Sequence, residues 1–142
     1  MTRHLGIRDA VAAQLTGLAG GRVYENRDQP MTPAIASQIL VYRLQSVPER
    51  ILIGPTAPVD WVTDIRIVIQ GRSNGVSSGE SIADSVAGGV YAALMANQTL
   101  GGLCQLLDPG PLMWDQDEAD TAVHVATLDV RITHRTENNV IT

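Results

Sequence analysis

Residues 120–136 read Asp120-Thr121-Ala122-Val123-His124-Val125-Ala126-Thr127-Leu128-Asp129-Val130-Arg131-Ile132-Thr133-His134-Arg135-Thr136. From Ala126 the run alternates: Ala126, Leu128, Val130 and Ile132 fall on one face, and Thr127, Asp129, Arg131 and Thr133 on the other. Side chains of a strand switch faces at every residue, so this pattern is one long, half-buried β-strand. The same period occurs upstream, where Trp61, Thr63, Ile65, Ile67 and Ile69 interleave with Val62, Asp64, Arg66, Val68 and Gln70. Two long strands with one apolar face each need a cover, and two helical stretches ahead of the last strand supply it. The expected fold is a single-domain α+β structure, a mixed or antiparallel sheet of about four to five strands covered by two helices.

The chain has 142 residues, 44% hydrophobic and 18% charged, which fits a globular domain over residues 1–136 with a polar tail at 137–142. No apolar run approaches the ~20 residues of a membrane helix. Arg3, His4 and Arg8 are followed by no long apolar stretch, so a signal peptide is not expected. Cys104 is alone and sits among Leu103, Leu106 and Leu107. It reads as a small buried hydrophobe, which favours an intracellular setting. A net charge of −5, 4% aromatics and no Phe argue against a basic nucleic-acid surface or a base-stacking platform.

In chain order, Ile7, Val11, Gln14, Leu15 and Leu18 predict an amphipathic helix over His4 to Leu18, ended by Gly20 and Gly21. Arg22 to Glu25 is a short strand, and Gln38 to Leu44 a central one with two apolar faces. Ser46 to Pro58 reads as a long loop holding Pro48, Pro55 and Pro58 around Ile51, Leu52 and Ile53. Either Arg50 to Ile53 extends a hairpin strand, or the three apolar residues form an arm that buries on another subunit. Ser77 and Glu80 have capping-box spacing before a helix to about Asn97, with Ile82, Val86, Val90, Ala93 and Leu94 on its buried face. Gly88 and Gly89 within that helix predict close approach of a neighbour. A strand at Cys104 to Leu107 is expected to break at Asp108-Pro109-Gly110-Pro111 and resume at Leu112 to Trp114. Asp115, Gln116, Asp117, Glu118, Ala119 and Asp120 form an acidic turn into the last strand.

The residues offer little chemistry. His124 and His134 share a strand face but lie roughly 33 Å apart, too far to hold one metal within a chain. Asp115, Asp117, Glu118 and Asp120 lack the glycine and distal glutamate of an EF-hand, which leaves a solvated turn or a weak divalent contact between subunits. The Gly71 to Gly79 stretch is not a P-loop, since no Gly-Lys-Ser/Thr follows, and no nucleophile elbow is present. The sequence is read as non-enzymatic, with no catalytic residue, metal site or cofactor.

The layout resembles the lambda-type phage tail terminator family, also called minor tail protein U. The resemblance is carried by Arg8-Asp9-Ala10-Val11 in the first helix with its glycine-rich end and Arg22-Val23-Tyr24-Glu25. It continues in the strand pair split by a long loop, and in Leu94-Met95-Ala96-Asn97 leading to Leu100-Gly101-Gly102-Leu103. It ends in the aromatic and acidic turn from Trp114 to Asp120 and the strand closing on Val130-Arg131-Ile132-Thr133-His134. The resemblance implies a virion structural protein with an α+β fold, formed in the host cytoplasm and placed at the head-proximal end of a phage tail. It implies a homo-oligomeric, hexameric ring that caps the tail tube, ends its polymerisation and presents a surface to the head–tail connector. The expected partners are the chain itself, the tube protein and the connector, without membrane or sequence-specific nucleic acid. On this reading Ile51, Leu52 and Ile53 are subunit-interface residues, and Asp115, Asp117, Glu118 and Asp120 line the channel. Asp129, Arg131 and Arg135 on the polar face of the last strand are docking residues. Two other readings stand beside it: a head–tail joining or tail-completion protein of related fold, and a small-molecule-binding or enzymatic α+β domain.

Overall fold

The computed structural model describes residues 2–25, 27–49, 57–117 and 120–137. In chain order the elements are α1 (Arg3–Gln14), β1 (Val23–Tyr24), β2 (Ser37–Glu49), β3 (Val59–Arg72), α2 (Gly79–Met95), β4 (Leu106–Gln116) and β5 (Val123–Thr136). The five strands form one sheet in the order β1-β2-β3-β5-β4. Only β1 runs parallel to its neighbour; the other pairs are antiparallel. This is the expected α+β fold with a mixed sheet and two helices.

The long strands sit as their period requires. β3 and β5 pair over their whole length, from Val59 opposite Thr136 to Arg72 opposite Val123. Thr63, Ile65, Ile67 and Ile69 on β3 are fully buried, as are Ala126, Val130 and Ile132 on β5. Both helices cover this face. His4 of α1 reaches Thr63, while Gly79 and Ala83 of α2 lie against Gly71, two positions of the same parity on β3. The opposite face of the sheet carries no helix among the described residues.

α1 begins where the Thr2 hydroxyl accepts from the Leu5 amide. Ile7, Val11 and Leu15 line its buried side at a spacing of four. The helix stops at Gln14, short of the expected Leu18. The Thr16 hydroxyl donates to the Ala13 carbonyl, which Gly17 would need for a further turn. Each helix is followed by a left-handed turn, Ala19-Gly20-Gly21 at φ 49°, 64° and 83° and Leu100-Gly101-Gly102 at φ 50°, 69° and 91°. Positive φ is uncommon outside glycine, and Ala19 and Leu100 hold it because both are anchored in the core.

Further expectations are corrected. β2 runs on to Glu49, so Ser46 to Glu49 belong to a strand and Pro48 lies opposite Trp61. β1 pairs only with Ile39 and Leu40, so β2 is an edge at Pro48, and edges tolerate proline. β4 likewise continues through Asp108-Pro109-Gly110-Pro111, absorbing them in an irregularity between Pro109 and Leu112. It too is an edge strand. The cap of α2 is Ser78, whose hydroxyl accepts from the Ser81 amide, rather than Ser77. Its buried stripe is Gly79, Ala83, Ala87, Val90 and Leu94, while Ile82, Val86 and Ala93 are half-buried. Small residues win the sheet-facing positions because α2 lies almost directly on β3. Of the two mid-helix glycines only Gly89 meets a neighbour, Leu18, and Gly88 faces open space.

Candidate functional site

The charges on the polar face of β5 are paired across to β3. Asp60, Asp64 and Arg66 of β3 stand directly opposite Arg135, Arg131 and Asp129 of β5. All three pairs close as ion pairs. Arg66 grips Asp129 with two bonds of 2.8 and 3.0 Å, Arg135 grips Asp60 at 2.6 and 3.1 Å, and Arg131 reaches Asp64 at 3.4 Å. Bonding to Arg135 holds the Asp60 carboxyl below its usual range, and bonding to Asp129 raises the Arg66 guanidinium. The predicted docking residues Asp129, Arg131 and Arg135 are thus one side of a cross-strand charge ladder. Arg135→Glu would set two like charges directly opposite, and a lower melting temperature is expected. The swapped pair Asp60→Arg with Arg135→Glu should recover most of the loss. A single reversal without effect on melting would mean the ladder does not form in solution.

The acidic residues split by role. Asp115 lies in β4 opposite Val125, exposed, and accepts from the next amide, that of Gln116. The Asp117 amide donates to the Val123 carbonyl and closes the hairpin. Asp120 bonds the Arg72 guanidinium and the Ala122 amide, and the bond to Arg72 holds its carboxyl below the usual range. Three of the four predicted residues therefore share one hairpin end, but Asp120 is already neutralised. Glu118, and the predicted interface residues Ile51, Leu52 and Ile53, lie outside the described residues. Among the described residues no three His, Cys, Asp or Glu are placed to hold a metal ion.

The structure joins residues that the sequence reading kept apart. His4 at the start of α1 packs edge-on against His134 of β5 and Trp61 of β3, with ring centroids 4.9 and 4.7 Å away. The Thr63 hydroxyl, fully buried, is the hub of this group. It is hydrogen-bonded to His134 Nε2 at 2.8 Å, to Ser46 Oγ at 2.8 Å and to His4 Nδ1 at 3.3 Å. His134 Nδ1 has no partner among the described residues. Burial pushes His134 down to about 4, with the charges of His4 and Arg3 adding to it, and burial also lowers His4, with Arg43 adding. Two imidazoles, those of His4 and His134, and two hydroxyls form a polar joint that fixes α1 to the sheet. The sequence held a signal for it: His4 is in phase with Ile7, Val11 and Leu15, and His134 continues the series Ala126 to Ile132.

Apolar side chains remain uncovered at the two sheet edges. Leu44 and Val47 on β2 are 41% and 44% exposed, and Leu112, Met113 and Trp114 on β4 are 37%, 47% and 50% exposed. Trp114 forms one wall of a groove of about 490 Å³ with Ser78, Glu80, Ser81 and Asp84 of α2 and its cap. A second groove of about 340 Å³ lies over the charge ladder between Leu44 and the Pro109 to Pro111 segment. Both grooves are open, and in the first the Ser78 hydroxyl is taken up in capping α2.

No protein-family model matches the sequence, and no curated protein matches it. Among solved structures the chain is similar to a chain described as "Virion of native gene transfer agent (GTA) particle". The TM-score is 0.62 at 17% identity, over 92% of this chain and 95% of that chain. At that identity the likeness is one of fold, and it extends across nearly the whole of both chains.

Proposed function

We propose that the chain is a structural protein of a phage-like virion, and within that class a tail terminator: a ring that caps the tail tube, ends its growth and offers a face to the head. The observation that carries this reading is the end-to-end fold likeness to a virion chain. The layout resemblance to the tail terminator family agrees with it. So do uncovered apolar side chains on both edges of one sheet, which suit a subunit that assembles by head-to-tail contacts. Its partners would be further copies of itself, the tube protein and the head–tail connector. The acidic stretch holding Asp115, Asp117, Glu118 and Asp120 would face the channel, where negative charge keeps passing DNA from sticking.

Native mass measurement and negative-stain images of the pure protein test assembly, and rings are expected. Particles made without it test the role. Abnormally long tails are expected for a terminator; tails of normal length that lack heads would instead assign the joining role. A second test concerns the arm. Replacing Ile51, Leu52 and Ile53 together with Ser should weaken assembly and leave the circular dichroism of the subunit unchanged, because each contributes about 1.5–3 kcal/mol on full burial. A variant that unfolds would place the three residues in the subunit's own core.

A further inference from the structure

Among the described residues the sheet has two edges with stretches free to pair, and they are complementary. Beyond Leu40 no strand among the described residues pairs with the outer side of β2, and none pairs with the outer side of β4. Free edges are usually blunted by proline, lysine or a bulge. The first half of β4 is blunted by Pro109, Pro111 and its irregularity, yet Leu112 to Gln116 carries no such guard. Val41 to Val47 of β2 carries an irregularity between Arg43 and Gln45 but no proline, and the chain contains no lysine: its ten Lys/Arg positions are all arginine. Arginine is the cation enriched at protein interfaces and lysine the one depleted there.

The directions agree. β2 and β5 run one way and β3 and β4 the other, so β4 of one copy set beside β2 of the next makes an antiparallel pair. The chemistry agrees as well. Arg43 lies opposite Ile65, on the helix-covered side of the sheet, exposed and without a carboxylate partner among the described residues. Trp114 lies opposite Ala126, also on the helix-covered side, and borders the groove that holds Glu80 and Asp84. A guanidinium beside an indole and two carboxylates gains both cation–π and charge-assisted contacts.

We propose that a second copy of this chain is the occupant of this edge: β2 of one subunit adds antiparallel to Leu112–Gln116 of β4 in the next, with Arg43 entering the groove lined by Trp114, Glu80 and Asp84. The inference rests on the ring reading above and names the contact that closes it. Setting Arg43 beside Trp114 puts Tyr42 beside Asp115, and with Leu44 taken up by the irregularity in β2 it puts Gln45 beside Met113, each pair sharing one face of the sheet. Within a subunit Leu112 stands level with Val41, opposite the same rungs of β3 and β5, so successive copies are displaced along the strands. In a closed ring that displacement becomes a tilt of the strands to the ring axis.

The experiment is a cross-link in the assembled full chain. Gln45→Cys with Met113→Cys should oxidise to a ladder of covalent oligomers that ends at the ring size, while either single variant gives none. Arg43→Glu should raise the concentration for half-assembly by roughly tenfold or more, equal to about 1.4 kcal/mol, and adding Asp84→Arg should restore it. Circular dichroism checks that each variant folds. Rings that form without the cross-link, and that ignore Arg43→Glu, overturn the edge contact and leave the ring reading intact. A chain that stays monomeric at all concentrations overturns both.

Discussion

Gly71→Ala will unseat the second helix and lower the melting temperature by roughly 10 °C, the equivalent of about 3 kcal/mol in a chain of this size. A methyl group at Gly71 would lie 2.5 Å from the Gly79 carbonyl oxygen and 2.7 Å from the Ala83 amide nitrogen. Both atoms are backbone, so no rotamer change relieves the clash and α2 must lift as a body. Lifting it loosens Ala83, Ala87, Val90 and Leu94, all on the buried stripe. Gly88→Ala is the opposing control. Nothing lies within 4 Å of the methyl it would gain, and removing glycine from a helix interior stabilises by about 0.5–1 kcal/mol. The two glycine variants should therefore move the thermal melt in opposite directions. A Gly71→Ala variant that melts with the parent would mean α2 does not rest on β3 as described.

This contact shows where sequence reading succeeds and where it stops. The alternation in β3 and β5 was plain because one face is buried along the whole of each strand, and period two has no competing explanation there. The α+β layout followed from those two strands and the two helices. Of the residues expected on the buried face of α2, Val90 and Leu94 are buried, while Ile82, Val86 and Ala93 are half-buried because large side chains do not take the positions nearest the sheet. Gly79, Ala83 and Ala87 face it instead, since backbone-to-backbone approach rewards the smallest side chain. The prolines of β2 and β4 were read as breaks because proline cannot serve an interior strand. That both strands are edges is a property of topology, which local pattern does not carry. The candidate surfaces were legible as types and not as pairings. Asp129, Arg131 and Arg135 announce a polar face, but their partners Arg66, Asp64 and Asp60 lie more than sixty positions upstream. The exposed edge chain from Leu112 to Trp114 was read simply as an extended segment. Its importance emerges only once β4 is seen to end the sheet.

The protein will lose stability as pH falls from about 6.5 toward 4, and His134 will be the main cause. Its imidazole is fully buried and sits at about 4, below the ordinary 6.5. The unfolded chain therefore binds a proton that the folded chain refuses. The stabilisation is complete above the unfolded value and is lost as pH falls through the folded one, amounting to roughly 3 kcal/mol for a shift of this size. His4 is lowered as well and acts in the same direction. Among the described residues the charges that act on this pair are those of Arg3 and Arg43, both cations, which oppose a further positive charge. Asp60 and Asp120 are held below the usual carboxylate range and contribute at lower pH. Proton NMR should show the His134 ring still neutral at pH 5, and chemical denaturation should give a smaller unfolding free energy at pH 4.5 than at pH 7. His134→Gln keeps a group able to bond Thr63 but cannot titrate, so its stability should depend less on pH across this window. A parent protein equally stable at both pH values would refute the burial of His134. Because the proton enters at the joint between α1 and the sheet, hydrogen exchange of the α1 amides should accelerate on acidification before that of β3 and β5.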